Sequence, residues 1–156
     1  MNLTVSTISK SLAGYLAPSF PGVTFYEDPN QQNSNPPMLF IQTRTNRLEK
    51  EVDHYWIRHL GLDLVYLLEY NLPNLQQLYQ KAGETLDLLM ETFPYSDGET
   101  EGTVLLRTYN REWNIDLDEL HYRFELRERV SIPEEYAKMR TMEYNEEILN
   151  DEKIHT

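Results

Sequence analysis

The sequence predicts an α+β domain: a mostly antiparallel sheet with two helices packed on one face, followed by a C-terminal docking tail. Three observations carry this. Two segments, near residues 3–16 and 75–90, repeat their apolar residues every three or four positions, as one buried face of a helix requires. Several other segments alternate apolar with polar residues, the period of a strand buried on one side. The last two strand-like segments are joined by a short stretch without helical pattern, so they pair as a hairpin rather than across a helix. The length of 156 residues suits one domain, and we expect it to occupy residues 1–132, with 133–156 as a charged, helical tail.

Taken in order, Leu3, Ile8, Leu12, Tyr15 and Leu16 trace an amphipathic helix that must end before Pro18. Phe20-Pro21-Gly22 is a turn, and Val23–Tyr26 a short strand. Residues 27–37 are polar and hold three prolines, so they form a loop. Met38–Thr45 is a second strand, rich in β-branched and aromatic residues. Asn46–Asp53 is an exposed turn or a solvated extension of that strand. His54–Tyr70 reads as one long strand, bent at Gly61, with Trp56, Leu60, Leu62, Leu64 and Tyr66 on one face and Arg58 interrupting it. Asn74 caps a helix whose stripe runs Leu75, Leu78, Tyr79, Ala82, Leu86, Leu89, Met90. Phe93-Pro94 and the polar segment 95–102 close that helix. Thr103–Tyr109 is a strand, 110–116 a connection holding Trp113, and Leu120, Tyr122, Phe124, Leu126 and Val130 mark a half-buried strand pairing with it. After Pro133, the stretch 134–152 has seven acidic residues and few apolar anchors, Tyr136, Met139 and Ile148 among them. The second face of the sheet must be wet or covered by a neighbour.

Composition excludes more chemistry than it suggests. Without cysteine there is no disulfide, thiolate zinc site or thiol nucleophile. The net charge of −12 repels phosphate backbones and argues against a nucleic-acid binder. Residues 1–10 lack the basic start and apolar run of a signal peptide, and the longest apolar stretch, 60–68, contains Asp63 and is too short to cross a bilayer, so we expect a soluble, cytoplasmically made protein without a membrane partner. His54, His59, His121 and His155 show no metal-ligand spacing, and Asp28, Asn30 and Asn33 lack the glycine and closing glutamate of a calcium loop. The six glycines are scattered and form no phosphate loop, and a serine nucleophile elbow is missing. A pair such as Asp116 and Asp118 arises freely among 26 acidic residues. The expectation is a protein that is not an enzyme and takes no cofactor or metal.

What remains is surface. Tyr55, Trp56, Ile57, Tyr66 and Tyr70 lie along a strand too long for two short helices to cover, and such an arm invites pairing with another subunit. The segments Ile8–Leu16, Phe20-Pro-Gly-Val-Thr-Phe-Tyr26, Pro36-Pro-Met-Leu-Phe-Ile-Gln42, His54-Tyr-Trp-Ile-Arg-His-Leu-Gly-Leu-Asp-Leu-Val-Tyr66, Asn74–Met90 and Leu120-His-Tyr-Arg-Phe-Glu-Leu126 together resemble the tail terminator family of contractile-tailed phages and prophages of Gram-positive bacteria. The polar loop 27–35 and Leu68-Glu-Tyr70, where the family carries a Tyr-Phe-Pro strand ending, depart from it.

The resemblance implies a structural virion protein at the head-proximal end of the tail. It would form a homo-hexameric ring that caps the tail-tube protein, ends tube polymerisation, and meets sheath and neck or connector proteins, with DNA as passing cargo. On that reading Arg44, Arg47, Lys50, Tyr55, Trp56 and Arg58 are the candidate inter-subunit or tube contacts, and Tyr136, Met139 and Ile148 the candidates for tail docking. Another head–tail connector ring, or a small ligand-binding α+β domain, are the alternative readings.

Overall fold

The computed structural model describes residues 3–27 and 35–132. Helix α1 (Val5–Leu16) leads into a 3-10 turn (Ala17–Ser19) and strand β1 (Thr24–Tyr26). Then come β2 (Met38–Lys50), β3 (Tyr55–Leu67), α2 (Leu75–Leu89), β4 (Thr92–Tyr95), β5 (Val104–Arg107), β6 (Tyr109–Asp116) and β7 (Glu119–Ser131). Five strands form one sheet in the order β1-β2-β3-β7-β6, and β4 pairs with β5 in a separate ribbon. Only β1 and β2 run parallel; every other pair is antiparallel. The fold is α+β, as the patterning predicts.

Both helices cover one face of the sheet. Thr4 opens α1 with a capping box: its hydroxyl accepts from the Thr7 amide at 3.2 Å, and the Thr7 hydroxyl accepts from the Thr4 amide at 3.3 Å. Ile8, Leu12 and Leu16 then point inward onto Leu39 and Ile41 of β2, Leu60, Leu62, Leu64 and Tyr66 of β3, and Leu120, Tyr122, Phe124 and Leu126 of β7. Tyr79, Ala82 and Leu86 of α2, with Met90, Phe93 and Tyr95 behind them, complete that core. The period-2 rows of β3 and β7 and the helical stripes close on each other, which is why they were readable from spacing alone.

Two polar devices lock α2 down. Gly83 lets the helix approach Trp113 of β6 so closely that a Cβ there would sit 2.6 Å from the indole ring. On the neighbouring turn the Asp87 carboxylate accepts from Trp113 Nε1 at 3.0 Å and from the Tyr122 hydroxyl at 2.9 Å. Burial, then the Asp87 charge beside it, pushes the Tyr122 hydroxyl well above its ordinary range, so it stays a donor. At the other end Tyr79 donates its hydroxyl to the Asp118 carbonyl at 2.6 Å and accepts from the Leu68 amide at 2.9 Å.

Several expectations need correcting. The strand expected over residues 103–109 does not pair with β7; its core, β5, pairs with β4, and residues 110–116, expected as a connection, belong to β6, the real hairpin partner of β7. Edge strand β6 has little to bury, so its apolar residues are sparse and its alternation faint. Its two-residue turn uses Leu117 at φ 55, without the glycine or asparagine that usually signals such a turn. Phe93-Pro94 does more than close the helix, since it forms β4. Asn74 occupies the cap position of α2 but makes no side-chain cap bond. The long strand ends at Leu67, three residues short of the expectation. Asn46–Lys50 proves to be a strand extension, and the turn is confined to residues 51–54. At Gly61 the irregularity lies in the partner strand: β2 slips register between Thr43 and Thr45, and the Thr45 hydroxyl fills the place a Gly61 side chain would need.

Candidate assembly interface

Past Leu60 and Leu126 the helices stop covering the sheet, but β2, β3 and β7 continue. The three strands run on as an arm whose tip is the turn at residues 51–54, where the Tyr55 amide donates to the Val52 carbonyl at 2.9 Å and Asp53 takes φ 55. The Ile132 amide donates to the His54 carbonyl at 2.9 Å and so ties the end of β7 to that tip.

Direct cross-strand partners share a face, which sorts the arm residues into two sets. On the helix side stand Leu48 opposite Arg58, Lys50 opposite Trp56, and Trp56 opposite Val130. Lys50 Nζ lies 5.9 Å from the Trp56 ring centre, and Arg58 donates to Asn46 Oδ1 at 2.7 Å. On the open side, Arg47 meets Glu49 at 3.2 Å and Arg129 meets Glu51 at 3.2 Å. The Arg129 guanidinium sits 4.4 Å from the Tyr55 ring, and that of Arg127 sits 4.0 Å from Tyr109. Glu51, Ile57, Tyr109, Arg127 and Arg129 line a shallow cleft of about 380 Å³ along this side.

At the root of the arm, carboxylates flank two histidines. His59 Nδ1 lies 2.5 Å from Glu125, while its Nε2 is 2.9 Å from Glu49 but poorly aligned for a hydrogen bond. Glu125 is partly buried, which alone would raise its pKa. The hydrogen bonds from His59, Arg127 and Asn110 outweigh that and lower it to about 2. Deeper in, His121 places Nδ1 2.8 Å from Asp63 and Nε2 2.9 Å from Glu119. Burial works against its charge, yet the two carboxylates prevail and raise its pKa above the usual value. Asp63 is 2% exposed, and its Oδ2 also accepts from Gln42 at 3.3 Å. These are electrostatic stitches between strands. Among the described residues no group of three or more histidines, aspartates and glutamates is arranged to hold a metal ion.

All six residues singled out on the arm lie there, but on different sides: Arg47 and Tyr55 on the open side, Lys50, Trp56 and Arg58 on the helix side. Arg44 sits in the register slip of β2, exposed and without an ion pair among the described residues. Tyr136, Met139 and Ile148 fall outside the described residues, as do Asp28, Asn30 and Asn33. Spacing did not single out Arg127 and Arg129, though their positions two apart on an alternating strand place both on one side with Tyr109 and Tyr55. The arm, residues 44–58 and 127–131, holds six of the chain's 14 lysines and arginines against four carboxylates. It is a basic projection on an acidic protein.

The sequence matches the family model described as Phage tail terminator protein over residues 7–138, a span that reaches from the first turns of α1 past the end of β7. No curated protein matches it.

Proposed function

Because the chain belongs to the phage tail terminator family, whose members are structural proteins of the phage tail, we propose that its copies close into a hexameric ring that caps the head-proximal end of the tail tube. The ring ends tube polymerisation and presents its far side to the neck and, in a contractile tail, to the sheath. The observation that carries this reading is the arm: three strands project beyond the core, with half-exposed Leu48, Trp56 and Val130 on one side, Tyr55 on the other, and six of the chain's cations along them. A projection of one shape meeting a different surface on the next copy makes a head-to-tail contact, which closes into a ring when the rotation allows. Arg44, Arg47, Lys50, Tyr55, Trp56 and Arg58 are the arm's contact residues in this reading, facing a neighbour or the tube. The segment 133–156, with Tyr136, Met139 and Ile148, docks on an adjoining subunit. The acidic remainder of the molecule suits a channel through which DNA slides without sticking.

Native mass spectrometry of the purified protein, alone and with its tail-tube protein, tests the reading. A hexamer, formed alone or only on tube ends, supports it. A dodecamer points to a connector ring instead. A monomer that ignores tube ends overturns it.

A further inference from the structure

Several strand edges lie open among the described residues, and those of β6, β5 and β2 are not alike. The outer edge of β6 carries Asn110, Arg111, Glu112, Asn114 and Asp116 and is bulged between Tyr109 and Glu112, the usual means by which a sheet refuses a further strand. Strand β5 is only four residues long and carries a single charge, the exposed Arg107, at its end, with no bulge. It pairs on one side with β4 and on the other with nothing among the described residues, and it exposes Leu105 by 72% and Val104 by 39%. The third edge is on β2. Strand β1 covers it only from Met38 to Phe40, and among the described residues Ile41–Lys50, which runs out along the arm, has no partner strand on that side.

The net charges beside the β5 and β2 edges are opposite, even with Arg107 on β5 and Glu49 on β2 counted in. Residues 97–101, just before β5, hold three carboxylates and no base, with Glu99 and Glu101 both exposed. The free part of β2 bears Arg44, Arg47 and Lys50. Accordingly, we propose that the open edge of β5 receives the free edge of β2 from a second copy of this chain, so that the main sheet of one subunit continues into the β4–β5 ribbon of the next. The added strand satisfies the open backbone groups of the four residues of β5 and of the stretch of β2 set against them, lies beside Val104 and Leu105, and brings arginines and a lysine toward Glu99 and Glu101. The two edges belong to different parts of the molecule, so the contact repeats head to tail. This rests on the ring reading above and names the surfaces that would build it.

The chain has no cysteine, so introduced ones report without background. Leu105→Cys is combined in turn with Arg44→Cys, Asn46→Cys and Leu48→Cys, and each double variant is treated with a short bismaleimide under conditions where the wild type forms rings. At least one double variant should give a ladder of covalent oligomers up to the ring size, while each single-cysteine variant gives none beyond a linked pair. A second arm uses charge. Glu99→Lys with Glu101→Lys should weaken assembly by about tenfold, and adding Arg47→Glu with Lys50→Glu should restore it, which a misfolded variant could not do. Rings in native mass spectra together with no ladder, or no restoration by the double swap, overturn the proposal and leave the ring reading standing. If the wild type forms no ring with or without tail-tube protein, the ring reading itself has failed and the proposal falls with it.

Discussion

Asp63 shows how much one residue decides. It is a carboxylate in the middle of the central strand, on the face that no helix covers, yet 2% exposed. Such a charge is tolerable only with a partner, and His121 supplies it. The prediction follows with its sign. A histidine whose pKa is raised on folding stabilises the fold fully below about pH 6.5, and that stability is lost as pH rises through the elevated value. Glu125, lowered from 4.5 to about 2, does the reverse: its contribution is present above 4.5 and lost as pH falls toward 2. Urea unfolding across pH should therefore show both contributions intact between about 4.5 and 6.5. His121→Ala should flatten the alkaline side of that profile. In Asp63→Asn, an NMR titration should find the His121 pKa lower than in the wild type; an unchanged value would sink the account.

Among the elements, α2 is held by approach and not only by area. Gly14 and Gly83 both sit inside helices, where alanine is worth about 1 kcal/mol more than glycine. Nothing lies within 4 Å of a Cβ at Gly14, so Gly14→Ala should raise stability by about 0.5–1 kcal/mol. At Gly83 the same change meets the Trp113 ring and must displace it from Asp87, an overpacking cost of about 1–3 kcal/mol that exceeds the propensity gain. Thermal melts of the two variants should shift in opposite directions. The helices, β3 and β7 were legible because a full apolar stripe or row has to be written into the sequence to close the core. Strands β4 and β6 were not: β4 is four residues long with a proline inside, and β6 shows only Tyr109, Trp113 and Ile115 between polar residues. Of the interface, the cations of the arm could be read from their clustering. The open edge of β5 could not, because the pairing that leaves Leu105 exposed is a property of the fold and not of its neighbours in sequence.

At the scale of the whole molecule, charge is divided: the arm is slightly basic and everything else carries the excess that makes the chain −12. If the arm serves assembly and not folding, replacing residues 48–58 with a short turn between the paired Arg47 and His59 should leave the melting temperature within a few degrees, since none of the residues removed belongs to the buried core, while abolishing rings in native mass spectra. Ring stability should also fall as salt rises from about 0.05 to 0.5 M, as the Debye length shrinks from about 14 to about 4 Å and partly exposed charges are screened. β3 and β7 stay paired through twelve consecutive residue pairs, from Tyr66 and Leu120 beneath the helices to Tyr55 and Ser131 at the tip. A pull applied along the arm is therefore taken in shear, spread over the whole ladder at once, where a hairpin tugged crosswise would unzip bond by bond. A subunit gripped by its arm is built to bear tension.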